Sequence, residues 1–141
     1  MRALALDHGE VRCGCALSDP SGTLATPLAV VERPDSRRGL DRLARLVRER
    51  EAEVVVVGLP LTLAGERGDQ ARRAEEFARR LDERIAVPVE LHDERLTTKL
   101  AERGEGAEGA RAELDSRAAA HLLESWLASR PDGRQATGRT L

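Results

Sequence analysis

The chain has 141 residues, with 23 Lys and Arg against 25 Asp and Glu and a formal charge of −2, enough for one domain around one core. That charge argues against a general basic coat for nucleic acid, and one Phe, one Trp and no Tyr disfavour a single-strand binder that stacks bases on rings. The start reads as no signal peptide, no apolar run approaches membrane-spanning length, and Cys13 and Cys15 show neither C-x-x-C nor zinc spacing, so a cytoplasmic protein with no membrane contact is expected.

Arg2 to Asp7 reads as a strand, and Gly9-Glu10 as a turn. Arg12 to Ser18 returns as a second strand that points both cysteines to one face, where they cannot pair with each other. Asp19-Pro20-Ser21-Gly22 is a turn. Thr23 to Val31 is a third strand that Pro27 pushes towards an edge or a bulge. Ser36 is a plausible N-cap for a helix to Arg50, carried by Leu40, Leu43, Leu46 and Val47. Val54 to Val57 has no alternation, the mark of a central parallel strand buried on both faces, which leaves the sheet at Gly58-Leu59-Pro60.

Leu61 to Gly68 reads as a loop, Gln70 to Arg84 as a helix with Ala71, Ala74, Phe77, Ala78 and Leu81 inward, and Val87 to His92 as a strand. Thr97 to Arg103 is expected to be a short helix, Gly104 to Gly109 a glycine-rich flap or connector, and Asp115 to Ala128 the last helix. Arg130 to Leu141 is expected to be a disordered tail, leaving 1–129 as the folded domain. The fold class is α/β: a five-stranded mixed sheet, made of a three-strand antiparallel meander plus two parallel strands, flanked by helices. Right-handed crossovers make the first, fourth and fifth strands parallel.

Parallel strands bring their C-terminal ends to one edge, where such folds place ligands. Asp7 ends the first strand, Asp93 and Glu94 follow the fifth, and Asp115 opens the last helix. Acids gathered there repel one another unless divalent cations sit between them, an arrangement suited to metal-dependent phosphodiester chemistry. Each acid alone has a plainer reading: Asp7 satisfies turn amides and Asp115 is an N-cap. Parity does not choose between Asp93 and Glu94 if the strand stops at His92. His8 is a ligand, a proton shuttle or a residue packed on the sheet.

With Leu6-Asp7-His8-Gly9, Gly14-Cys15-Ala16-Leu17-Ser18-Asp19, Val57-Gly58-Leu59-Pro60-Leu61, Asp93-Glu94-Arg95-Leu96-Thr97-Thr98 and Asp115-Ser116-Arg117-Ala118-Ala119 in this order, the chain resembles the YqgF/RuvX family of the ribonuclease H-like superfold. The resemblance spans Arg2 to Ala128. It implies a nuclease that processes the 5′ end of the small-subunit (pre-16S) ribosomal RNA precursor, with Asp7, Glu94 and Asp115 as catalytic, metal-binding carboxylates. Two-metal hydrolysis with Mg²⁺ or Mn²⁺ then needs no covalent nucleophile.

Arg12 is the first candidate for phosphate contact and Arg95 a second, with a loop-fixing salt bridge as its plainer role. Thr97 and Thr98 either cap the short helix or bond substrate. Departures from the family pattern are Glu10-Val11 where Thr-Lys is usual, Thr62 where Asn is common, and Glu105, Glu108 and Glu113 in a commonly basic loop; they weaken the phosphate grip. The partner is nucleic acid, structured RNA or branched DNA, bound by a monomer or homodimer. Competing functions are a Holliday-junction DNA resolvase, a non-catalytic RNA- or ribosome-associated module, and an actin-like sugar kinase, whose two domains exceed this length.

Overall fold

The computed structural model describes residues 1–62, 64–95, 108–130 and 139–140. Its elements are β1 (Ala3–Asp7), β2 (Arg12–Ser18), β3 (Ala25–Glu32), α1 (Arg37–Glu49), β4 (Val54–Leu61), α2 (Asp69–Asp82), β5 (Val89–Arg95), α3 (Glu108–Ala128) and β6 (Arg139–Thr140). The sheet order is β3-β2-β1-β4-β5-β6. β1 to β3 form the antiparallel meander, and β1, β4 and β5 run parallel, as expected. Arg139–Thr140 adds a short antiparallel sixth strand on β5, inside the stretch read as a tail.

Alternation along the strands sorts the core into two layers. Leu4, Leu6, Val55 and Val57 point to α1 and α2, among Leu40, Leu43, Phe77 and Leu81. Ala3, Ala5, Ala16, Val54 and Val56 point to α3, against Ala119, Leu122, Leu123 and Trp126. The side chains on the α3 face are small, so that helix can approach the sheet closely. Cys13 and Cys15 are buried, reduced and on the α1/α2 face.

Three expectations need correction. β4 does not leave the sheet at Gly58 but continues to Leu61. Its register with β1 ends at Leu6↔Val57, so at Pro60 only β5 is paired among the described strands, and the missing N–H of Pro60 costs little there. β5 does not stop at His92 but runs to Arg95, because the extended β4 pairs with it through Leu61↔Arg95. The last helix begins at Glu108, two turns before Asp115, so Asp115 is inside a helix and is not its N-cap. The expected short helix at Thr97 to Arg103 and most of the Gly104 to Gly109 loop lie outside the described residues.

Elsewhere the local signals and the structure agree. Ser36 caps α1 by accepting from the Gly39 N–H at 3.0 Å. Pro27 lies on β3, the edge strand, where its missing N–H can face away from the ladder. Asp19 ties the β2–β3 turn by accepting from the N–H groups of Thr23 and Leu24, both at 2.8 Å. The Leu24 amide, with help from Ser21 and Thr23, holds its carboxyl well below the usual carboxylate range.

Candidate active site

Asp7 follows Ala3 and Ala5 in alternation, so its side chain points to the α3 face, and it is 3% exposed. Strand parity separates Asp93 from Glu94 once β5 is seen to continue. Glu94 shares the face of Glu90 and His92, whose side chains bond Trp126 and Ser125 on α3, whereas Asp93 is exposed on the other face. A Cβ on Gly58 would meet Glu94 Oε2 at 3.4 Å and a Leu122 methyl at 3.3 Å. Gly58 lies on β4 between Asp7 and Glu94, and its missing side chain leaves the Glu94 carboxylate room.

Asp115 reaches the same face from above. A Cβ on Gly14 would lie 2.0 Å from the Asp115 carbonyl oxygen, so only glycine lets α3 pass β2 this closely. The next residue, Ser116, is buried and donates to the Leu28 carbonyl oxygen at 2.6 Å. Arg12, with its side chain 11% exposed, places Nη1 3.6 Å from Asp115 Oδ2 and Nε 4.0 Å from Glu32 Oε2. Three contacts thus register one turn of α3 on the β2–β3 pair. We expect Ser116→Ala to cost about 1 kcal/mol in urea unfolding, the usual worth of such a bond, and to lower activity by loosening Asp115.

Asp7, Glu94 and Asp115 therefore share one face and one end of the sheet. Among the described residues, however, no three His, Cys, Asp or Glu side chains stand close enough together to hold an ion. Arg12 sits against Asp115, between it and Glu32. The donor set itself suits Mg²⁺ or Mn²⁺: three carboxylates, hard oxygen ligands without sulfur. The Arg95 side chain, Thr97 and Thr98 lie outside what the structure describes.

His8 points away from Asp7. Its ring stacks on Phe77 with centroids 4.6 Å apart, and Nε2 lies 2.8 Å from Asp35 Oδ2. It packs β1 onto α2 and takes no place beside the acids. His92 Nε2 lies 2.9 Å from Ser125 Oγ, and burial pulls its pKa below the ordinary value even though Asp93 and Glu90 push the other way. Gly14 and Ser116 are positioning residues that sequence reasoning passed over. A glycine inside an otherwise well-filled strand was the available signal.

The family model RuvX, Holliday junction resolvase, matches residues 1–129. A protein of Mycobacterium ulcerans named "Putative pre-16S rRNA nuclease" is 49% identical over 135 residues, covering 92% of this chain and 79% of its own. A protein of the same name from Rhodococcus jostii is 46% identical, covering 92% and 78%. Among solved structures, RuvC of Thermus thermophilus superposes with a TM-score of 0.56 at 17% identity over 100% of both chains. The same protein with a Holliday junction substrate gives 0.54 at 15% identity, over 100% of this chain and 99% of that one. At these identities the likeness establishes a shared fold, the RuvC-like ribonuclease H fold.

Proposed function

We propose, for a chain that belongs to the RuvX family, a divalent-metal-dependent nuclease that hydrolyses phosphodiester bonds at the 5′ end of the pre-16S ribosomal RNA. The observation that carries the reading is that Asp7, Glu94 and Asp115 lie on the same α3 face at the same end of the sheet. Relatives bearing the rRNA-nuclease name support the substrate. A ribosomal precursor as substrate places the work in the cytoplasm, and no helix among the described residues is long and apolar enough to cross a membrane.

Asp7, Glu94 and Asp115 would hold the Mg²⁺ or Mn²⁺. When bound, such ions activate water and stabilise the leaving oxygen. The chain supplies the rest. Gly58 keeps the floor between Asp7 and Glu94 clear, and Leu122 walls it with apolar surface. Gly14 and Ser116 fix the height and register of Asp115. Arg12 holds a positive charge beside Asp115, where a guanidinium can grip a phosphate oxygen of the bound strand.

A second reading, a non-catalytic RNA- or ribosome-associated module, is favoured by the close hold of Arg12 on Asp115. A third, cleavage of branched DNA, is favoured by the family's description. One assay separates them: 5′-extended ribosomal precursor, single strands and four-way DNA junctions are incubated with the protein in Mg²⁺, Mn²⁺ and EDTA. We expect trimming of the precursor in either metal and none in EDTA. Binding without cut product supports the module, selective junction cleavage supports the resolvase, and cleavage that persists in EDTA rejects the metal mechanism.

A further inference from the structure

The arginines are unevenly spread. Between α1 and the edge strand β3 runs a groove of about 800 Å³ whose walls include Arg37, Arg38, Arg42, Arg45 and Arg50. Two acids, Asp41 and Glu49, also line it, and Asp41 is engaged by Arg84 at 3.4 Å. The five arginines are exposed, and none of them forms an ion pair among the described residues. This cluster stands on a chain whose net charge is −2.

The placement works against the isolated helix. Arg38, Arg42 and Arg45 are spaced i, i+4, i+7, so like charges are neighbours along one stripe, which is destabilising. Arg37 and Arg38 open the helix, and its first turn holds no acid, although the positive end of the helix dipole favours anions there. Both costs reverse when an extended polyanion lies in the groove.

The groove also leads to the candidate site. β3 runs in the direction of β1, so its Glu32 end and the start of α1 lie at the end of the sheet that carries Asp7. Glu32 contacts Arg12, which contacts Asp115. From there α1 carries its arginines about 20 Å along the sheet, at ~1.5 Å per residue. The outer edge of β3 adds backbone groups that no further strand pairs among the described residues.

We propose that this groove holds the phosphodiester backbone of the nucleic-acid strand beyond the cleavage point, with Arg38, Arg42 and Arg45 on successive phosphates. The proposal rests on the nuclease reading. Guanidinium forks match phosphate oxygens, and no aromatic side chain lines the groove, so the contact is to backbone and blind to sequence.

The test uses the full chain with Arg38→Gln, Arg42→Gln and Arg45→Gln combined, and fluorescence anisotropy in Ca²⁺ with labelled single-stranded RNA and a labelled four-way DNA junction. Affinity is expected to fall at least tenfold at low salt. The slope of log K against log[salt] should shrink by about 2 for the RNA, at ~0.7 per lost phosphate contact. The melting temperature should hold or rise as like charges are removed. Which probe shows the loss identifies RNA, DNA or both as the strand held.

Arg72→Gln with Arg79→Gln, on α2 in pairs with Asp69 and Glu76, should leave affinity unchanged. Wild-type affinity and slope in the triple variant overturn the groove alone, as does a wild-type dimer that the triple variant breaks without loss of binding. A wild-type protein that binds neither probe overturns both the groove and the nuclease reading.

Discussion

Asp7→Asn is expected to lower cleavage by at least about 10³-fold while the protein stays folded. The carboxylate is the most buried of the three acids, 3% exposed at the end of a strand with apolar neighbours. Asparagine keeps its shape and half of its oxygen donors but loses the charge that would hold a divalent ion. The stabilisation such an ion gives is worth several kcal/mol, and each 1.36 kcal/mol is a factor of ten. Removing a buried charge relieves a desolvation cost, so the melting temperature should hold or rise. Single-turnover cleavage, Mn²⁺ titration by calorimetry and thermal melts together check this. Full activity in the variant would reject the role of Asp7, and a collapsed melt would make the residue structural.

Gly14→Ala is expected to destabilise the protein by about 3 kcal/mol, the upper end of what overpacking costs. The added Cβ would sit 2.0 Å from the Asp115 carbonyl oxygen, 2.4 Å from its carbon and 3.0 Å from the Ser116 nitrogen. All three are backbone atoms, so no rotamer change relieves the clash; α3 must lift off β2 or the strand must bend. Either movement displaces Asp115 and strains the Ser116 hydrogen bond, so activity should fall with stability. Urea unfolding and cleavage of the same samples check this. Gly68→Ala is the control, since among the described residues nothing lies within 4 Å of its added carbon. Equal stability of the two variants would remove Gly14 from the account.

Much of this architecture was legible because it rests on local pattern. Val54 to Val57 is buried on both faces as its unbroken run required, and Ser36 caps α1 as its chemistry allows. The errors fall where a distant partner decides. His92-Asp93-Glu94-Arg95 looks too polar for a strand, yet β4 pairs with it to the last residue. Glu108 to Leu114 resembled loop because of Gly109 and its charges, but apart from that glycine its residues include good helix formers, and they extend α3.

At the candidate site the acids themselves stood out, since each lies beside an apolar run. Their common face did not, because it depends on how closely α3 docks. Docking depends in turn on Ala3, Ala5, Ala16 and Gly14, whose small size says nothing until the partner helix is known. The grip of Arg12 on Asp115 joins an arginine on β2 to an acid on α3, and no spacing rule foretells it.

The single indole of the chain belongs to Trp126, buried near the far end of α3, with its N–H on Glu90 Oε1 at 3.2 Å and the Arg130 guanidinium 4.3 Å above its ring. Ten residues of unbroken helix lie between it and Asp115, eleven steps or about 16 Å. Its emission is therefore an intrinsic optical gauge of how that rod is seated: quiet when only the acidic end rearranges, altered when the whole rod slides.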